Sequence, residues 1–129
     1  MADKEVVRTD RAPGPFQGAP YNQAIRIGDL VFVAGQLGTS LETGQLVGPS
    51  VTEQTEQIMT NLAAILEAAG SGLDKLVKTT VFLLDLADFA GMNKVYAQHV
   101  GDRPPARSTV GISALPSGAI VEIEAVAHV

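Results

Sequence analysis

Leu76-Val77-Lys78-Thr79-Thr80-Val81-Phe82-Leu83-Leu84 is the stretch that decides how this chain folds. It is rich in β-branched residues and too short for an ordinary helix, so it reads as a mostly buried strand. Helical patterns flank it on both sides. Upstream, Ser50-Val51-Thr52-Glu53 fits a capping box, and apolar residues at 51, 58, 62, 65, 66 and 69 recur at helical spacing up to Gly70, which suits a C′ position. Downstream, Asp85 or Asp88 can cap a second helix whose apolar stripe is Phe89, Met92, Tyr96 and Val100. Gly101 and Pro104-Pro105 end it.

Working outward, Tyr21 to Ile27 and Leu30 to Gln36 read as two strands around Gly28-Asp29, a pair suited to a type II′ hairpin turn. Residues 10 to 20 hold three prolines and two glycines and read as an irregular loop, preceded by a possible edge strand at Val6-Val7. Residues 107 to 114 and 119 to 128 read as two further strands joined by Leu115-Pro116-Ser117-Gly118. The expected order is β(β)β-α-β-α-β-β, an α+β sheet with both helices packed on one face. No internal repeat is visible, and the whole of 1–129 reads as a single domain.

Bulk composition narrows the function classes. A chain of 129 residues that is 46% apolar and 18% charged is the size of one domain with a real core. Its formal charge of -5 and pI near 4.8, with nine scattered basic residues, argue against binding to a nucleic-acid backbone. The absence of cysteine removes disulfides, thiolate nucleophiles and cysteine metal sites. The amino terminus has neither a basic n-region nor a long apolar stretch, so the chain is expected to be soluble, unexported and cytoplasmic, with no membrane partner.

The candidate chemistry lies near the carboxyl end. Pro105-Ala106-Arg107-Ser108-Thr109-Val110 and Ile120-Val121-Glu122-Ile123-Glu124-Ala125 set a guanidinium and carboxylates on what look like neighbouring strands. Arg107 offers a planar, permanently charged donor fork that matches a substrate carboxylate, although a surface arginine is the commoner outcome. On the last strand Ile120, Glu122, Glu124, Val126 and His128 share one face, while Val121, Ile123, Ala125 and Ala127 share the other and look like core. Periodicity alone favours a solvated face for the two glutamates.

His99 and His128 have no partners at metal-ligand spacing, and Ser108 lacks a Gly-x-Ser-x-Gly context, so neither a metal site nor a serine hydrolase is expected. Gly35 sits in no phosphate-loop pattern. Tyr21 reads equally as a half-buried strand residue or a pocket wall, and Asn93, within the second helix, has an ordinary solvent-facing or capping explanation.

Several stretches, taken together, carry a family resemblance. Besides Pro105-Ala106-Arg107-Ser108 and Val121-Glu122-Ile123-Glu124-Ala125, they are Pro20-Tyr21-Asn22-Gln23-Ala24, Gly28-Asp29-Leu30-Val31-Phe32-Val33-Ala34-Gly35-Gln36, Glu42-Thr43-Gly44, Leu66-Glu67-Ala68-Ala69-Gly70 and Val77-Lys78-Thr79-Thr80-Val81-Phe82-Leu83. From about Pro13 onward the chain resembles the reactive-intermediate deaminase family, also called Rid, YjgF-like or L-PSP-type proteins.

The resemblance implies a chorismate-mutase-like α+β fold, assembled as a homotrimer around a central β-barrel-like core with sites in the clefts between subunits. It implies hydrolysis of 2-imino acids such as 2-iminobutanoate and 2-iminopropanoate to 2-keto acids and ammonia, with no cofactor. In that light Arg107 matches the family arginine that grips the substrate carboxylate and Glu122 the acidic residue beside the imine. Tyr21 matches the pocket tyrosine, Gly35 the position whose amide faces the ligand, and Asn93 an asparagine lining the cleft. Ala34 stands where many members carry Ser or Thr, and Thr109, also in the pocket, where many carry Cys. Two rival readings remain beside the deaminase. One is a trimeric small-carboxylate-binding regulator without turnover, and the other is the ribonuclease activity assigned to some members, which the acidic charge disfavours.

Overall fold

The computed structural model describes residues 3–129. Eight regular elements follow the expected order: β1 (Glu5–Val7), β2 (Ala24–Ile27), β3 (Leu30–Gln36), α1 (Val51–Ala68), β4 (Leu76–Leu83), α2 (Phe89–Val100), β5 (Ala106–Gly111) and β6 (Val121–His128). All six strands form one sheet in the order β1-β2-β3-β6-β4-β5. Every neighbouring pair is antiparallel except β4 and β5, which run parallel because α2 carries the chain back across the sheet between them.

The Leu76–Leu83 strand lies inside the sheet, between β6 and β5, as its apolar content requires. β6 sits beside it, between β3 and β4. The expectation that the last two strands are neighbours is therefore wrong. The parallel β4-α2-β5 crossover sends β5 to the outer edge, and β6 pairs with the inner side of β4, so one strand separates Arg107 from Glu122.

Local chemistry fixes the helices. Ser50 Oγ accepts the Glu53 amide at 3.1 Å and donates to the Glu53 carboxylate at 2.9 Å, so Glu53 is joined to the capping serine through both its amide and its side chain. Gly70 stands just past the end of α1 with φ 83°, a conformation that favours a residue without a Cβ. Asp85 caps a short 3-10 turn through the Ala87 amide, and Asp88, at the N-cap of α2, makes no side-chain capping bond. The Gly28 turn between β2 and β3 also has a positive φ, 56°.

The alternation on β6 reads out as expected: Val121, Ile123, Ala125 and Ala127 are buried, and Glu122, Glu124, Val126 and His128 face the other way. The buried set packs with Val31, Val33, Val81 and Leu83 beneath the inward stripes of α1 and α2 in one cluster, which puts both helices on one face. The opposite face is left open. It displays Val6, Ile27, Leu30, Phe32 and Val110, each more than two-fifths exposed.

β2 begins three residues later than expected. The Tyr21 amide bonds to the Ala19 carbonyl at 2.8 Å in a tight turn, and the buried Gln23 side chain takes the Thr9 amide while donating toward the carbonyls of Thr9, Ala12 and Pro13. Tyr21 thus belongs to the loop and not to the strand. β5 likewise stops at Gly111, with one further bond from Ile112 N to Leu83 O.

Candidate active site

The sheet divides the candidate residues into two groups. In the β4–β6 register Glu122 lies opposite Phe82, on the open face. In the β4–β5 register Arg107 and Thr109 lie opposite the buried Thr79 and Val81, on the helix face. One chain does not bring Arg107 and Glu122 together.

Glu122 lies one residue from Ile123, where the β3–β6 pairing resumes at Gln36 after a register break that leaves Ala34 and Gly35 outside the regular ladder. Its carboxyl folds directly over Gly35: a Cβ on that residue would stand 2.8 Å from Glu122 Cδ. Beside them opens a cavity of about 540 Å³, lined among others by Pro15, Phe16, Tyr21, Ser40, Pro116 and Glu122. Burial pushes the Glu122 carboxyl's pKa up, and the Glu124 carboxylate two residues along the same face pushes it further. That is the usual signature of a carboxyl poised for proton transfer.

Tyr21 stands at the mouth of this cavity. Its hydroxyl accepts the Phe16 amide at 2.5 Å, so its own proton remains available to a further acceptor. Three buried amide side chains hold the surrounding loops. Gln23 pins residues 9–13, Asn61 on α1 donates to the carbonyls of Leu37 and Thr39, and Gln54 on α1 joins the Gly48 carbonyl to the Ile120 amide. The sequence reading did not single out these three. For Gln54 and Asn61 the signal was a polar residue on the otherwise apolar stripe of α1, which alone does not distinguish a loop clamp from a solvated position.

On the helix face Arg107 has no carboxylate within ion-pair distance among the described residues. Its guanidinium lies over the rings of Tyr96, 4.9 Å from the centroid, and Phe89, 5.6 Å away, with Nη1 4.0 Å from Met92 Sδ. Phe89, Met92 and Tyr96 were expected only as the stripe of α2. Thr109, two residues along β5, and Asn93, next to Met92 on α2, each bury a side-chain oxygen that has no partner among the described residues. Such atoms are uncommon in a finished interior and fit a surface that receives a ligand or another polar group. His99 pairs with Glu56 at 2.8 Å, outside both groups, and among the described residues no cluster of three His, Cys, Asp or Glu stands ready to hold a metal.

The family comparison agrees with this arrangement of elements. The model of the endoribonuclease L-PSP family matches residues 11–129. This chain belongs to that family. Among L-PSP relatives it is 48% identical to the chloroplastic Reactive Intermediate Deaminase A of Arabidopsis thaliana, covering 96% of this chain and 65% of that one. It is 40% identical to the human 2-iminobutanoate/2-iminopropanoate deaminase, covering 96% and 89%. A relative from Pyrococcus abyssi, 47% identical over 97% of both chains, carries only the RutC family name. The crystal structure of E. coli TdcF with bound serine superposes on this L-PSP chain with a TM-score of 0.89 at 37% identity, covering 97% of this chain and 98% of that one. The family resemblance expected from the motifs is therefore met, and so is the mixed α+β architecture of one six-stranded sheet with two helices. No helix of this family member is long and apolar enough to cross a membrane, among the described residues.

Proposed function

We propose that this protein is a cytoplasmic imine hydrolase that converts 2-imino acids, such as 2-iminobutanoate and 2-iminopropanoate, to 2-keto acids and ammonia. The observation that carries the reading is Glu122: a half-buried carboxyl with a raised pKa, folded over Gly35 at the wall of a cavity that also receives Tyr21. The deaminase names of the plant and human relatives support it, and the serine bound by TdcF shows that a close structural relative accepts a small amino acid with a carboxylate.

In this reading the site is completed between copies of the chain. Arg107 of one copy, with Thr109 and Asn93 beside it, grips the substrate carboxylate, while Glu122, Tyr21 and Gly35 of a second copy face the imine carbon. The apolar open face of the sheet is the surface that subunit packing would cover, and closure of three copies would give a homotrimer around a barrel-like core. Glu122 orients a water molecule and takes one of its protons as the oxygen adds to the imine carbon, forming a carbinolamine. Tyr21 and the Gly35 amide hold this intermediate. Glu122 passes that proton to the nitrogen and then takes the hydroxyl proton as the C–N bond breaks, so that ammonia leaves and the keto acid remains. The imine carbon is already electrophilic once its nitrogen is protonated, so these groups suffice for the hydrolysis.

The test is subunit complementation. Arg107→Ala and Glu122→Gln are each expected to abolish most imine decay beyond the buffer rate. Refolded together at equal amounts, they should regain about a quarter of wild-type activity, because each mixed trimer then holds one site with both groups intact. No regain in oligomers shown to be mixed would remove the shared-site reading, and a buffer rate of imine decay with the wild type would favour a carboxylate-binding regulator. RNA cleavage is not favoured, since among the described residues no Lys or Arg of the same chain lines the Glu122 cavity.

A further inference from the structure

We infer that Tyr96 is the positioning residue of the carboxylate anchor: its ring, with that of Phe89, holds Arg107 by the face of the guanidinium, in place of an acidic partner. The inference rests on the proposal that Arg107 binds a substrate carboxylate, and it explains how the arginine is kept in place without being occupied. A guanidinium has two kinds of surface. Its N–H groups lie in the plane and form directed hydrogen bonds, while its flat faces stack on aromatic rings.

The other arginines with partners use the in-plane edge. Arg11 donates to Glu67 at 3.2 Å, Arg26 to the carbonyls of Gly28 and Ala69, and Arg8 to Asn22. Arg107 instead meets two rings and one weak acceptor, the Met92 sulfur. A salt bridge would fix the side chain just as well, yet a ligand would then have to displace a carboxylate from the same edge. Stacking leaves that edge unspent.

Tyr96 is the better anchored of the two rings. It is 5% exposed, whereas Phe89 is 43% exposed, and its hydroxyl is 2.6 Å from Thr79 Oγ1 in the core of the neighbouring strand. Thr79 is also the residue opposite Arg107 in the β4–β5 register. The Thr79–Tyr96 bond therefore ties the ring to the same strand pair that carries the guanidinium, and the cradle and the cation keep one relative position.

The inference predicts a ring-dependent change in carboxylate binding. The dissociation constant of 2-oxobutanoate, measured by calorimetry, should stay within about threefold of wild type in Tyr96→Phe, which keeps the ring and loses only the hydroxyl. It should weaken about tenfold in Tyr96→Leu, as expected for loss of a desolvated cation–π contact. KM for the imine should rise in parallel, with kcat falling by a smaller factor. The ring-current shift of the Arg107 Nε–H proton should shrink in Tyr96→Leu, where only the Phe89 ring remains, without any ligand present. Equal weakening in the Phe and Leu variants, or none in a folded Leu variant, overturns the inference. If Tyr96→Leu fails to fold, Phe89→Leu at the exposed ring takes its place, with a weakening of about two- to threefold expected and an unchanged constant counting against the cradle. Failure of the wild type itself to bind 2-oxobutanoate or to speed imine decay would strike the proposed function, and the cradle with it. Normal wild-type binding with an insensitive Tyr96 would strike the cradle alone.

Discussion

Replacing Gly35 by alanine should disable the proposed imine hydrolysis while barely disturbing the fold, because the atoms nearest the added methyl all belong to the Glu122 side chain. The Cβ would stand 2.8 Å from Glu122 Cδ and 3.1 Å from Cγ, closer still to Oε2, and it meets Glu122 before any other residue. Ordinary contact between such atoms needs about 3.5–4.0 Å, so the carboxyl must move by about 1 Å. The backbone does not resist the change, since Gly35 is absent from the glycines with positive φ. A half-buried side chain on an open face can rotate away at small expense, and the stability loss should be within about 1 kcal/mol. Catalysis is less tolerant: a misplacement of about 1 Å in a reacting group can lower the rate by about 100-fold. Imine decay under saturating substrate, read beside urea denaturation, separates the two effects. If Gly35→Ala retains wild-type kcat and its denaturation midpoint, the placement of Glu122 over Gly35 is irrelevant to turnover, and Glu122 loses its assigned role as the water-handling base.

Two further expectations follow from the same groups. Because burial and Glu124 both raise the pKa of Glu122, the acid limb of the kcat/KM profile should lie above the ordinary carboxylate range, and Glu124→Gln should shift that limb to lower pH; a limb that stays in place would separate it from Glu122. The stability effect has a defined sign: the folded state binds this proton more tightly than the unfolded one, so the contribution is complete below the unfolded pKa and is lost as pH rises through the folded value, a decline that Glu122→Gln should flatten in pH-dependent denaturation. On α1, Asn61→Ala strips the donor from the carbonyls of Leu37 and Thr39 and leaves the Gln57 amide without its acceptor, for an expected loss of about 1–3 kcal/mol by denaturant titration; an unchanged midpoint would mean that loop 37–48 holds without Asn61.

The strands and helices were legible because each carries its own period and punctuation. The alternation 121, 123, 125, 127 and the stripe 58, 62, 65, 66 are statements about one element and its buried face, and the Ser50–Glu53 cap is local to one turn. What the sequence could not carry is the pairing between elements. Arg107 and Glu122 are separated by fourteen residues of loop and strand, and nothing in either strand records that β4 will sit between them. The parity of each strand predicts which residues share its faces, but not which face meets the helices, so Arg107 could not be placed beside Tyr96 from periodicity. The amide clamps were hidden for a related reason. Gln54 and Asn61 interrupt the apolar face of α1 and read as imperfections until the carbonyls of Gly48, Leu37 and Thr39 arrive opposite them.

The division of the site across the sheet has an energetic logic of its own. Glu122 is half-buried with another carboxylate as its charged neighbour, and Arg107 is stacked on rings without an anion. Each arrangement is less favourable for its charge than an ion pair would be, and a fold that set both groups on one face would let them neutralise each other. The resulting bridge would occupy the donor edge of the arginine and lower the basicity of the glutamate, which are the two properties that carboxylate capture and water activation require. Placing a β-sheet between them prevents that collapse within one chain. In the proposed shared site, a substrate held between two copies would supply what each group lacks, its carboxylate for Arg107 and its imine carbon for the water that Glu122 orients. By this argument Arg107 and Glu122 would remain available to the proposed reaction because the β4 strand, Leu76–Leu83, keeps them apart within one chain.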